Sequence, residues 1–144
     1  MSPEDLFDDD LTDEAKEALH PLYAKYLSRA KEVWCGRNRV VFDMGIYVVK
    51  LPRHALGFSD NEWEGSVSNE GNDEGYVQYA KTRIFYYKGL HEFSIPVVFM
   101  ERVNSDIRQG KKYKDFPDWV GSVDGGQVGY NKHGKLVAFD YGVY

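Results

Sequence analysis

Apolar positions recur at helical spacing over the first quarter of the chain. Leu11, Ala15, Leu19, Leu22, Tyr23, Tyr26, Leu27, Ala30 and Val33 fall on one face of a 3.6-residue repeat. Thr12 stands before Asp13 and Glu14, a hydroxyl cap followed by acids that oppose the helix macrodipole. The pattern predicts a helix over residues 12–33, or a pair of helices divided at Pro21. A proline opening a second helix costs nothing there, because its missing N–H would have no partner anyway.

From Trp34 the period shortens. Arg39–Asp43 and Ile46–Leu51 are β-rich runs joined through Met44-Gly45, which predicts a hairpin. Residues 53–76 are rich in Gly, Ser, Asn and acids. They allow one short helix near Glu62–Glu70, weakened by Gly65. Tyr79–Tyr87 alternates large and polar residues, Gly89 turns the chain, and Ile95–Val103 returns as a partner strand. Residues 104–116 are polar, Pro117-Asp-Trp-Val suits a short helical turn, and Gln127–Asn131 with Leu136–Asp140 suits a last small hairpin. The sum is an α+β fold: an N-terminal helix or helix pair, a mixed antiparallel sheet of about five strands, a short helix and a terminal β-hairpin.

Composition adds few constraints. At 144 residues, with 42% hydrophobic and 15% aromatic content, the chain suits one globular domain. The longest apolar runs, Val40–Phe42 and Pro96–Met100, are too short to span a bilayer. No basic region followed by an apolar one opens the chain, and the single Cys35 cannot form an internal disulfide, so a reducing cytoplasm is expected. The net charge of −5 is unevenly placed: Glu4, Asp5, Asp8, Asp9, Asp10, Asp13 and Glu14 precede any Lys or Arg. Residues 1–11 therefore read as a solvated acidic leader ahead of a single domain over 12–144.

Three separated features carry chemistry. Val48-Val49-Lys50 ends a strand on a lysine whose compact ammonium can neutralise phosphate oxygens, although a strand-end lysine ordinarily faces solvent. Ile95–Val103 is an apolar strand running into Met100-Glu101-Arg102-Val103, which suits equally an ordinary central strand or one that becomes a linker able to pair its backbone with a flat base. Gln127 and Asp140 lie on the two arms of the terminal hairpin, which brings them near each other. Oxygen ligands of this kind suit a hard cation such as Mg²⁺ shared with phosphate.

In this order, Lys50, the linker and Asp140-Tyr141-Gly142 resemble the parts of protein-kinase-like folds. The resemblance covers about residues 34–144, with an N-terminal sheet like a kinase N-lobe. It extends to the small kinase-like proteins of bacteriophages, which act on host machinery. It implies that Lys50 meets the phosphates of ATP and that Glu64, or failing it Glu70, is the helix acid paired with Lys50. It also implies that Glu101 and Val103 hold the base, and that Asp140 and Gln127, thirteen residues apart, hold Mg²⁺. Cys35-Gly36-Arg37-Asn38-Arg39 takes the place of the Gly-rich loop.

The departures are equally specific. There is no His-Arg-Asp; strict register puts Ser122 at the catalytic position, and only a shortened loop would supply Asp124 as base. Gly36 is the loop's one glycine, Gln127 replaces an Asn, and the sequence stops at Tyr144, so a helical lobe is expected to be missing. The expectation is a kinase-fold protein with a degenerate nucleotide site, working as a regulatory or inhibitory module on a host or cellular protein. The alternative is a minimal ATP- and Mg²⁺-dependent kinase or phosphotransferase. Three lesser readings remain: an Asp124–Asp140 acid/base pair, Cys35 as nucleophile instead of a half-buried structural thiol, and Lys111, Lys112 and Lys114 on nucleic acid instead of in a solvated loop.

Overall fold

The computed structural model describes residues 1–67, 78–104, 116–122 and 127–139. Helix α1, Asp13–Leu27, starts where expected: the Thr12 hydroxyl accepts the Ala15 amide at 3.1 Å. Pro21 lies inside this one helix. Both Pro21 and Glu17 are exposed, so the Glu17 carbonyl left without a helical donor can be hydrated. The helix ends sooner than its periodicity suggested. Ser28 bonds back to the Ala24 and Lys25 carbonyls, and strand β1, Glu32–Cys35, takes over. Val33, placed by its spacing on the helix, instead pairs with Phe42.

Strands β2, Arg39–Asp43, and β3, Tyr47–Pro52, form the expected hairpin. Gly45 turns it with φ of +102°, and Asp43 Oδ1 accepts the Gly45 amide at 2.9 Å. Helix α2, Ala55–Val67, starts well before the expected Glu62. Its signal is unusual, because His54 Nδ1 accepts the Leu56 amide at 3.0 Å, the work a Ser or Asp cap would do. The glycines that weaken it on paper let it press on the sheet: a Cβ on Gly65 would lie 2.7 Å from Ile84 Cγ2, and one on Gly57 2.2 Å from the Asn38 carbonyl.

Strands β4, Thr82–Lys88, and β5, Ser94–Glu101, complete a sheet of order β1-β2-β3-β5-β4 in which all neighbours are antiparallel. A turn over Asp118–Ser122 precedes a second hairpin of β6, Val128–Tyr130, and β7, Leu136–Ala138. The fold is thus α+β: the described residues form two α-helices with a five-stranded antiparallel sheet and a terminal two-stranded hairpin. No helix among the described residues is long and apolar enough to cross a membrane.

Strand alternation divides the sheet into two faces. Val40, Phe42, Val49, Leu51, Ile95 and Val97 pack against Leu19, Tyr23 and Tyr26 of α1. Val48, Met100 and Val103 pack with Val128, Val137 and Ala138 of the second hairpin. The acidic N-terminal segment corrects its own expectation as a solvated leader. Leu6 is 1% exposed, Leu11 is buried, and Phe7 stacks on Tyr23 with centroids 4.8 Å apart. It is fastened at Arg53 and His54: the Asp8 amide meets the Arg53 carbonyl at 3.0 Å, Arg53 Nε meets the Leu6 carbonyl at 2.9 Å, and His54 lies 3.1 Å from Asp10.

Candidate functional site: a cleft closed by a buried lysine

Lys50 does not face solvent. Its pairing opposite Val41 and Val98 in mid-sheet turns it to the face away from α1, where it is 3% exposed. There its ammonium donates to Glu64 Oε1 at 2.9 Å and to the Phe139 carbonyl at 2.8 Å. Glu64 comes from α2 and is fully buried. The same carboxylate receives the guanidinium of Arg39, which starts β2 on the face that Lys50 shares. Arg39 also donates to Asn61 Oδ1 at 3.2 Å, while Asn61 Nδ2 donates to the Lys50 and Pro96 carbonyls at 3.0 and 2.8 Å.

Burial by itself would push the Glu64 carboxyl up. The two cations and their hydrogen bonds outweigh it and hold the group below its ordinary value, so it is a carboxylate at neutral pH. Next to this network, Asn38 Nδ2 donates to Asp60 Oδ2 at 3.0 Å, so α2 meets the sheet through polar side chains at successive turns.

A cleft of about 270 Å³ opens from Lys50 toward the end of β5. Val41 and Val48 form an apolar wall, Glu101, Arg102 and Val103 the far edge, and Phe139 borders the lysine end. Trp34 stands at the side, with the Arg102 guanidinium 5.6 Å from its ring and 3.4 Å from Asp43 Oδ1. Val103 is buried, and among the described residues its backbone N–H has no hydrogen-bond partner, whereas its carbonyl accepts Arg102 Nη1 at 2.7 Å. Glu101 takes the Lys81 amide with its side chain.

Of the residues singled out from sequence, Lys50 and Glu64 meet directly, and Lys50, Glu101 and Val103 border one cleft. Gln127 lies across the hairpin from Phe139, its carbonyl accepting the Phe139 amide at 3.1 Å. Asp124, Asp140, Glu70 and the lysines at 111, 112 and 114 lie outside the described residues. Among the described residues no three His, Cys, Asp or Glu side chains gather to hold a metal. Cys35 is exposed, which corrects the expectation of a half-buried thiol. Sequence reading placed Arg39 only in the segment that stands for the Gly-rich loop, and gave no role to Asn61, Trp34 or Phe139. Arg39 did carry a signal, since strand alternation sets it on the same face as Val41 and hence beside Lys50.

Comparison with protein-family models, curated proteins and solved structures finds no match for this chain.

Proposed function

We propose that this chain is a kinase-like domain that binds a nucleotide such as ATP in the Lys50 cleft and serves as a regulatory or inhibitory module on a protein partner. The observation that carries the reading is the Lys50–Glu64 pair, buried at the closed end of an apolar cleft and fastened to the carbonyl before Asp140. Support also comes from the order of parts: a helix between β3 and β4 supplies the acid, and the residues leaving β5 border the opening.

In this reading Val41 and Val48, on one side of the sheet, pack on one face of a base and the Val103 N–H donates to its edge. Lys50 holds phosphate oxygens as a point charge, oriented by Glu64. Gln127 and Asp140 are the oxygen ligands the sequence offers for Mg²⁺, which when bound neutralises phosphate charge. Phosphoryl transfer depends on a positioned base, and Ser122 stands where one belongs in strict register, so binding outweighs turnover.

Thermal unfolding with and without millimolar Mg-ATP tests this. A ligand bound at about 100 times its Kd stabilises the native state by about 2.7 kcal/mol, a rise of several degrees. The rise should vanish in Lys50→Ala, each variant being compared with its own ligand-free unfolding. An unchanged midpoint in the wild type removes the nucleotide site from the proposal.

A further inference from the structure

His54 joins two elements with the two nitrogens of one ring. The chain leaves β3 at Pro52, and the amides of Arg53 and His54 both donate to the Asn38 carbonyl, at 2.8 and 3.2 Å. That anchor sets His54 directly ahead of α2. Its Nδ1 accepts the Leu56 amide at 3.0 Å, and its Nε2 lies 3.1 Å from Asp10 Oδ2 of the N-terminal segment. A carboxylate only accepts, so Nε2 carries the proton, and Nδ1 must be bare to take an N–H. One species meets both contacts together, the neutral ring protonated at Nε2. A Ser or Asn in this place would serve the helix alone and would never become a cation.

The imidazolium cannot keep both contacts. Its second proton sits on Nδ1, where it faces the Leu56 N–H and removes the acceptor. A positive ring beside the first turn also opposes the positive end of the α2 macrodipole. Toward Asp10 the effect has the other sign, because a charged donor strengthens a hydrogen bond to carboxylate. The charges around the ring fit this exchange. Asp8, on the same segment, holds the Asp10 amide with its Oδ1 at 3.0 Å. Arg53 turns its guanidinium to the Leu6 and Gly36 carbonyls. The β1–β2 loop meets His54 through the Asn38 carbonyl, and in α2 the Asp60 carboxylate receives Asn38 Nδ2 at 3.0 Å. His54 is half-buried and Asp10 is exposed, so water reaches the pair.

We propose that His54 is a proton-operated switch, which on protonation releases the first turn of α2 and holds the N-terminal segment more tightly through Asp10. With the ring neutral it caps the helix. With the ring charged it exchanges that cap for a full ion pair. The switch acts whether or not the cleft takes a nucleotide.

Nuclear magnetic resonance of the isotopically labelled full chain, from about pH 8 to about pH 5, covers the span in which histidine changes charge. At the alkaline end the His54 ring nitrogens should show the Nε2–H tautomer. On acidification the Leu56 amide should lose about five-fold in protection, measured against an unstructured amide at the same pH, which is the effect of one lost cap. Val49, in mid-sheet, should keep its protection, which separates local release from acid unfolding. His54→Asn retains an acceptor that gains no charge, so its Leu56 protection should be the same at both ends of the range. In Asp10→Asn the fall should come at lower pH, because the carboxylate that favours the cation is gone. A ring protonated at Nδ1 at the alkaline end, an unchanged Leu56 amide, or an equal fall in His54→Asn overturns the switch. A fall at the same pH in Asp10→Asn overturns its link to the N-terminal segment.

Discussion

Glu64 is a carboxylate without exposed surface that answers two cations, Lys50 and Arg39. Replacing it with Gln removes the buried carboxylate that both cations share, and should cost about 3–5 kcal/mol in urea unfolding at neutral pH. Lys50→Met should cost less, because Arg39 still neutralises the acid; equal losses would mean that the cations do not share it. The folded-state value of Glu64 lies below its ordinary 4.5. Its stabilisation is therefore complete above the unfolded value and is lost as pH falls through the folded one. Urea midpoints of the wild type should drop below about pH 4.5 more steeply than those of Glu64→Gln. Lys50 and Glu64 were picked out through the likeness to kinase-like folds, with Glu70 as the second choice of acid; strand and helix patterns alone did not pair them. Arg39 left only a weaker signal: strand alternation sets it on the face of Lys50, but its meeting with Glu64 depends on a packing of α2 that no linear spacing displays.

Among the elements, α2 shows most clearly how tertiary contact overrides propensity. Gly65 lowers helix propensity, so the sequence favoured a poor, late helix, yet the missing Cβ is what admits Ile84. Gly65→Ala gains about 1 kcal/mol of propensity and should still destabilise by about 1–3 kcal/mol through overpacking. Pairing it with Ile84→Ala should recover part of that loss in a double-mutant cycle, and strict additivity would show that the two side chains do not compete for one space. The β2–β3 hairpin was legible because turn and alternation agree. Strand β1 was hidden because Val33 continues the helical period, and only pairing with β2 decides its state. The start of α2 was hidden because a histidine cap has no place among the usual signals.

At the scale of the whole molecule, the links among the described residues between the second hairpin and the rest of the chain include Lys50 to the Phe139 carbonyl, the Tyr79–Ala138 bridge, and the paired backbones of Asn104 and Tyr130. Lys50→Met removes the one of these that reaches the centre of the sheet. Amides of Val128, Tyr130 and Ala138 should then exchange faster with deuterium while those of Val40 and Val49 keep their protection; uniform loss would mean one cooperative unit. The fastening of the first ten residues at Arg53 and His54 has a consequence of another kind. His54 both receives Asp10 and caps α2, the helix that carries Glu64 to Lys50. Arg53 holds Leu6 with one nitrogen and the Gly36 carbonyl with another, at 2.9 Å each. Whatever lifts the N-terminal strap off its bed therefore pulls on the roots of both the β1–β2 loop and α2, and through α2 on the acid that holds Lys50 in the cleft.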